Sequence, residues 1–277
     1  MARLIFALIV FILLCGCLAS AEESEEFYET YTVEPDTCLL VSNYQAGGNV
    51  SVSTWDEDYV GVYATKKTRQ GLENVRIEVS VDGSMHIQTK LIEREVIATV
   101  SYEIKVPPTV TRCYIHTANG DIWLEGTRGD AVLETTIGAI VARDVDGYIS
   151  AKTGSGGIYI SGSAGILEAC TGDGDIEAEV ADVRGDWVPF KTGQGSIRLF
   201  IADSLDADIS MRSLAMTTAG KPAQAGKISI HDVPLSNFWE YESQVGVLAG
   251  GQLGDGGARV NIKTYQGDID LYRLQSG

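Results

Sequence analysis

Four phrases decide how this chain is read: Thr117-Ala-Asn-Gly120-Asp-Ile122-Trp-Leu124, Thr135-Thr-Ile-Gly138-Ala-Ile140-Val-Ala142, Thr153-Gly-Ser-Gly156-Gly-Ile158-Tyr-Ile160 and Thr171-Gly-Asp-Gly174-Asp-Ile176-Glu-Ala178. Their threonines, glycines and isoleucines each recur at intervals of 18. A fifth copy, Thr192-Gly-Gln-Gly195-Ser-Ile197-Arg-Leu199, follows after 21 residues, and a distant sixth is Thr264-Tyr-Gln-Gly267-Asp-Ile269-Asp-Leu271. A fixed period of this size marks a solenoid, in which no repeat buries its apolar face alone and each must stack on its neighbours.

Within each repeat, apolar and polar residues alternate on both sides of the glycine corner, the period of a strand and not of a helix. Before the corner the inward set is Ile115, Leu133, Ala151, Ala169 and Phe190, preceded two positions earlier by Cys113, Ala131, Ile149, Leu167 and Val188. After it come Ile122 and Leu124, Ile140 and Ala142, Ile158 and Ile160, Ile176 and Ala178, and Ile197 and Leu199. Gly, Asn and Asp supply the positive φ that such corners need. A second corner at Asp146-Gly147, Ala164-Gly165 and Arg184-Gly185 returns the chain one layer up. The expected fold is all-β: a single-stranded parallel β-solenoid, or β-helix, with 18-residue coils and a more irregular N-terminal β region.

From its beginning the chain divides into four expected parts. Met1-Ala-Arg3 and the apolar run Leu4 to Leu14 make residues 1–16 a signal peptide. Leu14-Cys15-Gly16-Cys17 resembles the lipobox of bacterial-type lipoproteins, which implies lipid attachment at Cys17; Cys15 fits worse. Cleavage after Ala19-Ser20-Ala21, or an uncleaved anchor helix over Leu4 to Ala21, are the competing readings, and all three export the rest of the chain. Residues 17–26 then form the anchor and an acidic, unpatterned tether. Residues 27–110 hold longer strands, a degenerate coil running from Cys38 to Val52, and a hairpin turn at Asp82-Gly83; this region caps the open end of the stack. Residues 111–277 are the regular solenoid, with an inserted loop at 214–226 and irregular stretches at Ser236 to Tyr241 and Gly246 to Gly257.

The early coil at Asn43, the strand ending in Val106-Pro107, the T-x-x-G-x-I ladder and the final Thr264-Tyr-Gln-Gly267-Asp-Ile269 together resemble the putative adhesin family, over roughly Phe27 to Leu271. Members are secreted or membrane-attached β-solenoid domains of bacteria and archaea. The resemblance implies architecture and an exported location at the cell surface or envelope, and supplies no catalytic motif.

The residues themselves point the same way. His86, His116 and His231 lack metal-ligand spacing, and no HExxH, GxSxG, CxxC or phosphate loop is present, so no catalytic, metal or cofactor residue is assigned. Cys113 falls inward and Cys170 outward; a disulfide among Cys38, Cys113 and Cys170 is left open. Asp121, Asp175 and Asp268 align at the corners, but Ala139, Gly157 and Ser196 take that slot in the intervening coils, which favours turn chemistry over a calcium ladder. Asn49-Val50-Ser51 is a candidate N-glycosylation sequon.

Two outward ladders remain. Trp123, Val141 and Tyr159 stack on successive coils, and Trp123 and Tyr159 are the candidate glycan-binding face; their bland alternative is burial beneath the N-terminal strands or the 214–226 loop. His116, Glu134, Lys152, Cys170 and Lys191 alternate charge and support neighbouring strands. With 21 basic against 38 acidic residues, the net charge of −17 argues against nucleic acid and anionic lipid head groups as direct ligands. The expected function is a surface-tethered structural or adhesion-like binding module without catalytic activity, its partners a cell-surface glycan or an envelope protein and, through the N-terminal anchor, the membrane. The alternatives are a polysaccharide-acting enzyme on a β-helix scaffold, or an envelope sensor.

Overall fold

The computed structural model describes residues 21–215 and 225–275. Cys17, the signal segment and most of the 214–226 loop therefore lie outside the described residues. The N-terminal region supplies β1 (Glu23–Thr32), β2 (Thr37–Asn43), β3 (Val50–Thr54), β4 (Tyr59–Thr68), β5 (Val75–Asp82), β6 (Ser84–Leu91) and β7 (Ala98–Val106). The phrase-bearing coils supply β8 (Val110–Asn119), β9 (Ile122–Glu125), β10 (Ala131–Ile137), β11 (Ile140–Arg143), β12 (Tyr148–Ser155), β13 (Ile158–Ser161), β14 (Gly165–Asp173), β15 (Ile176–Val180), β16 (Trp187–Gln194) and β17 (Ile197–Ile201). Beyond them lie β18 (Ala207–Leu214), β19 (Ile228–His231), β20 (Ser236–Ser243), β21 (Gly246–Leu253), β22 (Ala258–Thr264) and β23 (Ile269–Arg273).

These strands form two long sheets, parallel through the middle, that face each other across one core. The first runs β1-β4-β7-β3-β9-β11-β13-β15-β17-β23-β19, and the second β20-β21-β18-β22-β16-β14-β12-β10-β8-β2-β6-β5. The alternating pattern sorts the side chains between core and outer face. In β9, Ile122 and Leu124 are buried while Trp123 and Glu125 are exposed, and β11, β13 and β15 bury the same two positions. Ile122 pairs with Ile140, Ile140 with Ile158, and Ile158 with Ile176, so identical side chains stack along the solenoid axis. The architecture is a β-solenoid.

The repeated threonine and glycine have one joint physical cause. The hydroxyls of Thr135, Thr153 and Thr171 each donate at 2.9 Å to the carbonyl of the glycine one coil below, Gly120, Gly138 and Gly156. Those carbonyls lie so close to the next corner that a Cβ on Gly138, Gly156 or Gly174 would sit 2.1–2.2 Å from them. The corner thus admits only glycine, and the carbonyl it crowds takes its hydrogen bond from threonine. Asn43 fills the threonine slot of the earliest such coil, reaching Val100 O at 2.8 Å. Ser213 fills it in a coil the phrase alone did not reveal, bonding Gly267 O at 2.9 Å, while Gly226 stacks on Gly267 as the matching glycine. The inserted loop therefore interrupts a copy of the phrase between its threonine-like residue and its glycine.

Order in space departs from order in the chain at both ends. β22 lies between β16 and β18, and β23 between β17 and β19, so the last phrase is a penultimate layer. At the other end β2 lies between β6 and β8, and β3 between β7 and β9. Antiparallel strands extend the sheets beyond these layers: β1 and β4 on one edge, β20 and β21 on the other sheet.

Several local expectations change. Glu23 to Glu26, read as unpatterned tether, belong to β1, where Glu25 pairs with Lys66 at 2.6 Å and opposite charges replace apolar patterning on an edge strand. A bulge opposite Ile149 and Ser150 turns Leu167 out of the core and puts Ile166 into it. The stretches at 236–241 and 246–257, read as irregular, form the hairpin β20–β21. Cys38, Cys113 and Cys170 are free thiols.

Candidate functional site

The end hairpin β20–β21 continues the second sheet, and an open cleft of about 500 Å³ lies across its strands. Its position follows from the out-of-order layering, because β22 lies between β16 and β18 and so joins the strand of Trp187 to the β18-β21-β20 group. Cross-strand register then sets the floor. Asp208 pairs with Arg259, which pairs with Trp187; in the next row Ser210 lies between Asn261 and Gly250, and Gly250 pairs with Trp239. Arg212, Asn237 and Gln252 complete the polar lining.

Two tryptophans rise from this small-residue floor, Trp187 at 50% and Trp239 at 48% exposure. Register shifts between Ser236 and Trp239, where Asn237 adopts φ 48°, a conformation asparagine tolerates. Such a bulge re-aims the following side chain. The indole of Trp239 consequently lies over Gly250, where a Cβ would stand 2.8 Å from the ring. Asn237 donates to Gln252 Oε1 at 3.1 Å, and Gln252 donates in turn to Asp255 O at 3.0 Å, so one amide pair at the rim is already oriented.

Charge at the cleft runs against the charge of the chain. Among the lining residues two guanidiniums face one carboxylate, Asp208. Arg184, Arg198 and Arg273 each have a carboxylate partner elsewhere, whereas among the described residues no ion pair engages Arg212 or Arg259. Arg212 also ends a row on the sheet's outer face that continues through Lys263, Lys191, Cys170, Lys152, Glu134 and His116. The sequence shows the last five of these as a ladder; the cationic end enters only through β22 and β18. Within it Lys152 pairs with Glu168 at 2.6 Å, not with Glu134.

No family model matches the sequence, and no curated protein matches it. Solved structures that match about nine-tenths of the chain at low identity include putative adhesins, a putative cell adhesion protein and a putative lipid binding protein. A putative adhesin from Bacteroides fragilis NCTC 9343 has 10% identity and TM-score 0.42, covering 89% of this chain and 97% of its own. A putative cell adhesion protein from Clostridium sporogenes ATCC 15579 has 12% identity and TM-score 0.34, covering 90% and 100%. A putative lipid binding protein from Parabacteroides distasonis ATCC 8503 has 11% identity and TM-score 0.34, covering 92% and 97%.

The pair singled out from sequence lies on the opposite sheet. Trp123, Val141 and Tyr159 form one row across β9, β11 and β13, with Trp123 at 38% and Tyr159 at 43% exposure. β7, β4 and β1 extend that sheet sideways and leave the row uncovered. Beside Tyr159 a shallow depression of about 270 Å³ is lined by Val141, Arg143, Glu177, Glu179 and Phe200. The structure does not bring Trp123 and Tyr159 together with Trp187 and Trp239.

Of the remaining candidates, Asn49 is exposed, and its Oδ1 accepts the Asp121 amide at 3.0 Å. Asp121, Asp175 and Asp268 each accept a backbone amide of the adjoining coil, from Ala139, Ser196 and Lys227 at 2.7–2.8 Å, which is turn chemistry. His231 stacks on Tyr272 at 4.3 Å, and His116 meets Tyr44 edge-on at 5.4 Å. Burial pushes the Cys113 thiol up to about 12 and raises those of Cys38 and Cys170, so none is poised as a nucleophile. Trp187 was legible as an outward residue, one position before inward Val188; Trp239 lay in a stretch with no readable period.

Proposed function

We propose that this chain is a non-catalytic, adhesion-like binding module displayed at the cell surface. The observation that carries the reading is the exposure of paired aromatics on rigid sheet faces. Trp123 and Tyr159 stand two strands apart on the first sheet, about 10 Å by strand spacing. Both rings lie on the outer face, Trp123 at 38% and Tyr159 at 43% exposure, and flat aromatic surfaces suit the apolar faces of sugars. A polysaccharide-cleaving reading has less support: hydrolysis of a glycosidic bond ordinarily takes a pair of carboxylates, the cleft lining holds only Asp208, and beside Tyr159 Glu177 is paired with Arg198 at 2.7 Å while Glu179 accepts the Gly162 amide at 2.9 Å.

Attachment through lipid at Cys17, with residues 1–16 removed as a signal, would place the module outside the membrane. Wild-type protein should then partition into detergent and Cys17→Ser into the aqueous phase; retention of Cys17→Ser with Met1 intact would favour the uncleaved helix. The binding function is tested with a glycan array beside a reducing-sugar assay. Binding without product supports the module; release of product refutes it. Loss of array binding in the Trp123→Ala, Tyr159→Ala double variant, with unchanged melting, would assign that face.

A further inference from the structure

We propose that the cleft between Trp187 and Trp239 is a second ligand site, for an acidic oligosaccharide bearing carboxylate or sulfate groups. This rests on the reading of the chain as a binding module and adds a site and a ligand class to it. Trp187 on β16 and Trp239 on β20 are separated by β22, β18 and β21, a span of about 19 Å at strand spacing, long enough for several sugar rings in a row. The floor between them is built of Ser210, Gly251 and Asn261, small or buried residues that leave the space open. Exposed indoles offer stacking surfaces to the C–H faces of a pyranose, while amides and hydroxyls in the floor can meet its ring hydroxyls.

Charge selects among saccharides. Arg212 and Arg259 lack carboxylate partners among the described residues, and guanidinium forks bind carboxylate and sulfate through two parallel hydrogen bonds. Two cations facing one anion make the cleft locally positive in a chain of net charge −17. A neutral sugar would make no use of the charge of the two exposed guanidiniums, and an apolar peptide would find a lining dominated by polar groups. Asp208 lies between Arg259 and Gln252 in register, placed to accept sugar hydroxyls and to repel a ligand whose charge falls on its side of the floor. Within this binding site the two tryptophans stack and the two arginines select.

The test is isothermal titration calorimetry of the full exported chain with tetragalacturonate, a chondroitin sulfate tetrasaccharide, cellotetraose as a neutral probe, and octaglutamate as an acidic peptide. At least one acidic saccharide should bind tenfold or more tightly than cellotetraose, weakening as salt rises. Trp187→Ala and Trp239→Ala should each weaken it at least tenfold with melting temperature unchanged. Arg212→Gln with Arg259→Gln should erase the preference over cellotetraose while preserving the shape of the cleft. Octaglutamate binding as tightly as the saccharides, cellotetraose matching them, or no saccharide binding would each overturn the proposal. Acidic glycan binding left intact by all cleft variants would overturn this site while the binding-module reading survives.

Discussion

Gly156→Ala isolates the contact on which the corner depends. Gly156 adopts φ 143°, and a Cβ there would stand 2.1 Å from Gly138 O and 2.5 Å from its carbonyl carbon, both backbone atoms. That backbone region is essentially reserved for glycine and costs an L-residue about 1–3 kcal/mol. Relieving the overlap means separating two coils at the corner, where Gly138 N–H donates to Ser155 O at 2.8 Å and Thr153 donates to Gly138 O at 2.9 Å. Losing both adds about 2 kcal/mol at about 1 kcal/mol per bond. The total, about 3–5 kcal/mol, is a large part of the roughly 5–15 kcal/mol that holds a domain folded. Gly185→Ala is the matched control: φ is 119°, and nothing lies within 4 Å of the added carbon, so only the conformational cost applies. Urea denaturation of both variants, followed by circular dichroism, should show Gly156→Ala losing at least twice as much stability. Equal losses would mean that the stacked carbonyl does not set the glycine requirement.

Three other outcomes follow from the same contacts. Ile158→Asp should bury an unpaired charge and unfold the chain at room temperature, whereas Tyr159→Asp, on the outer face, should move the melting point by only a few degrees; equal effects would refute the register. Thr153→Val should cost about 1 kcal/mol and Thr153→Ser much less, because the hydroxyl and not the methyl bonds Gly138 O. Burial pushes Tyr102 up to about 12, the Thr89 hydroxyl at 2.6 Å opposing the shift. Because that folded pKa exceeds the unfolded value of about 10, the contribution is complete below about pH 10 and disappears as pH rises through about 12. Stability measured between those limits should therefore fall less steeply in Tyr102→Phe than in wild type, and parallel slopes would refute the assignment.

The all-β class, the inward and outward positions and the corners are legible in the residues alone, because a strand's period of two and the coil's repeat are local properties that each phrase displays. The sequence displayed Ile122, Ile140 and Ile158 as core and Trp123 and Tyr159 as surface without any knowledge of partners. It could not display why threonine recurs, since Thr153 bonds a carbonyl in another coil. Nor could it show that Ser213 and Gly226 are two halves of one phrase, because the inserted loop breaks the spacing on which the reading depends. The order of layers emerges only in three dimensions: Val188 and Val260 are 72 residues apart in the chain, yet β16 and β22 hydrogen-bond side by side. Hydrogen bonding between parallel strands depends on register and edge availability, not on chain distance, so the last coil could enter between two earlier ones. That insertion brings Trp187, Arg259, Ser210 and Trp239 into one cleft, and no linear pattern links four residues whose adjacency is created by a strand that arrives last.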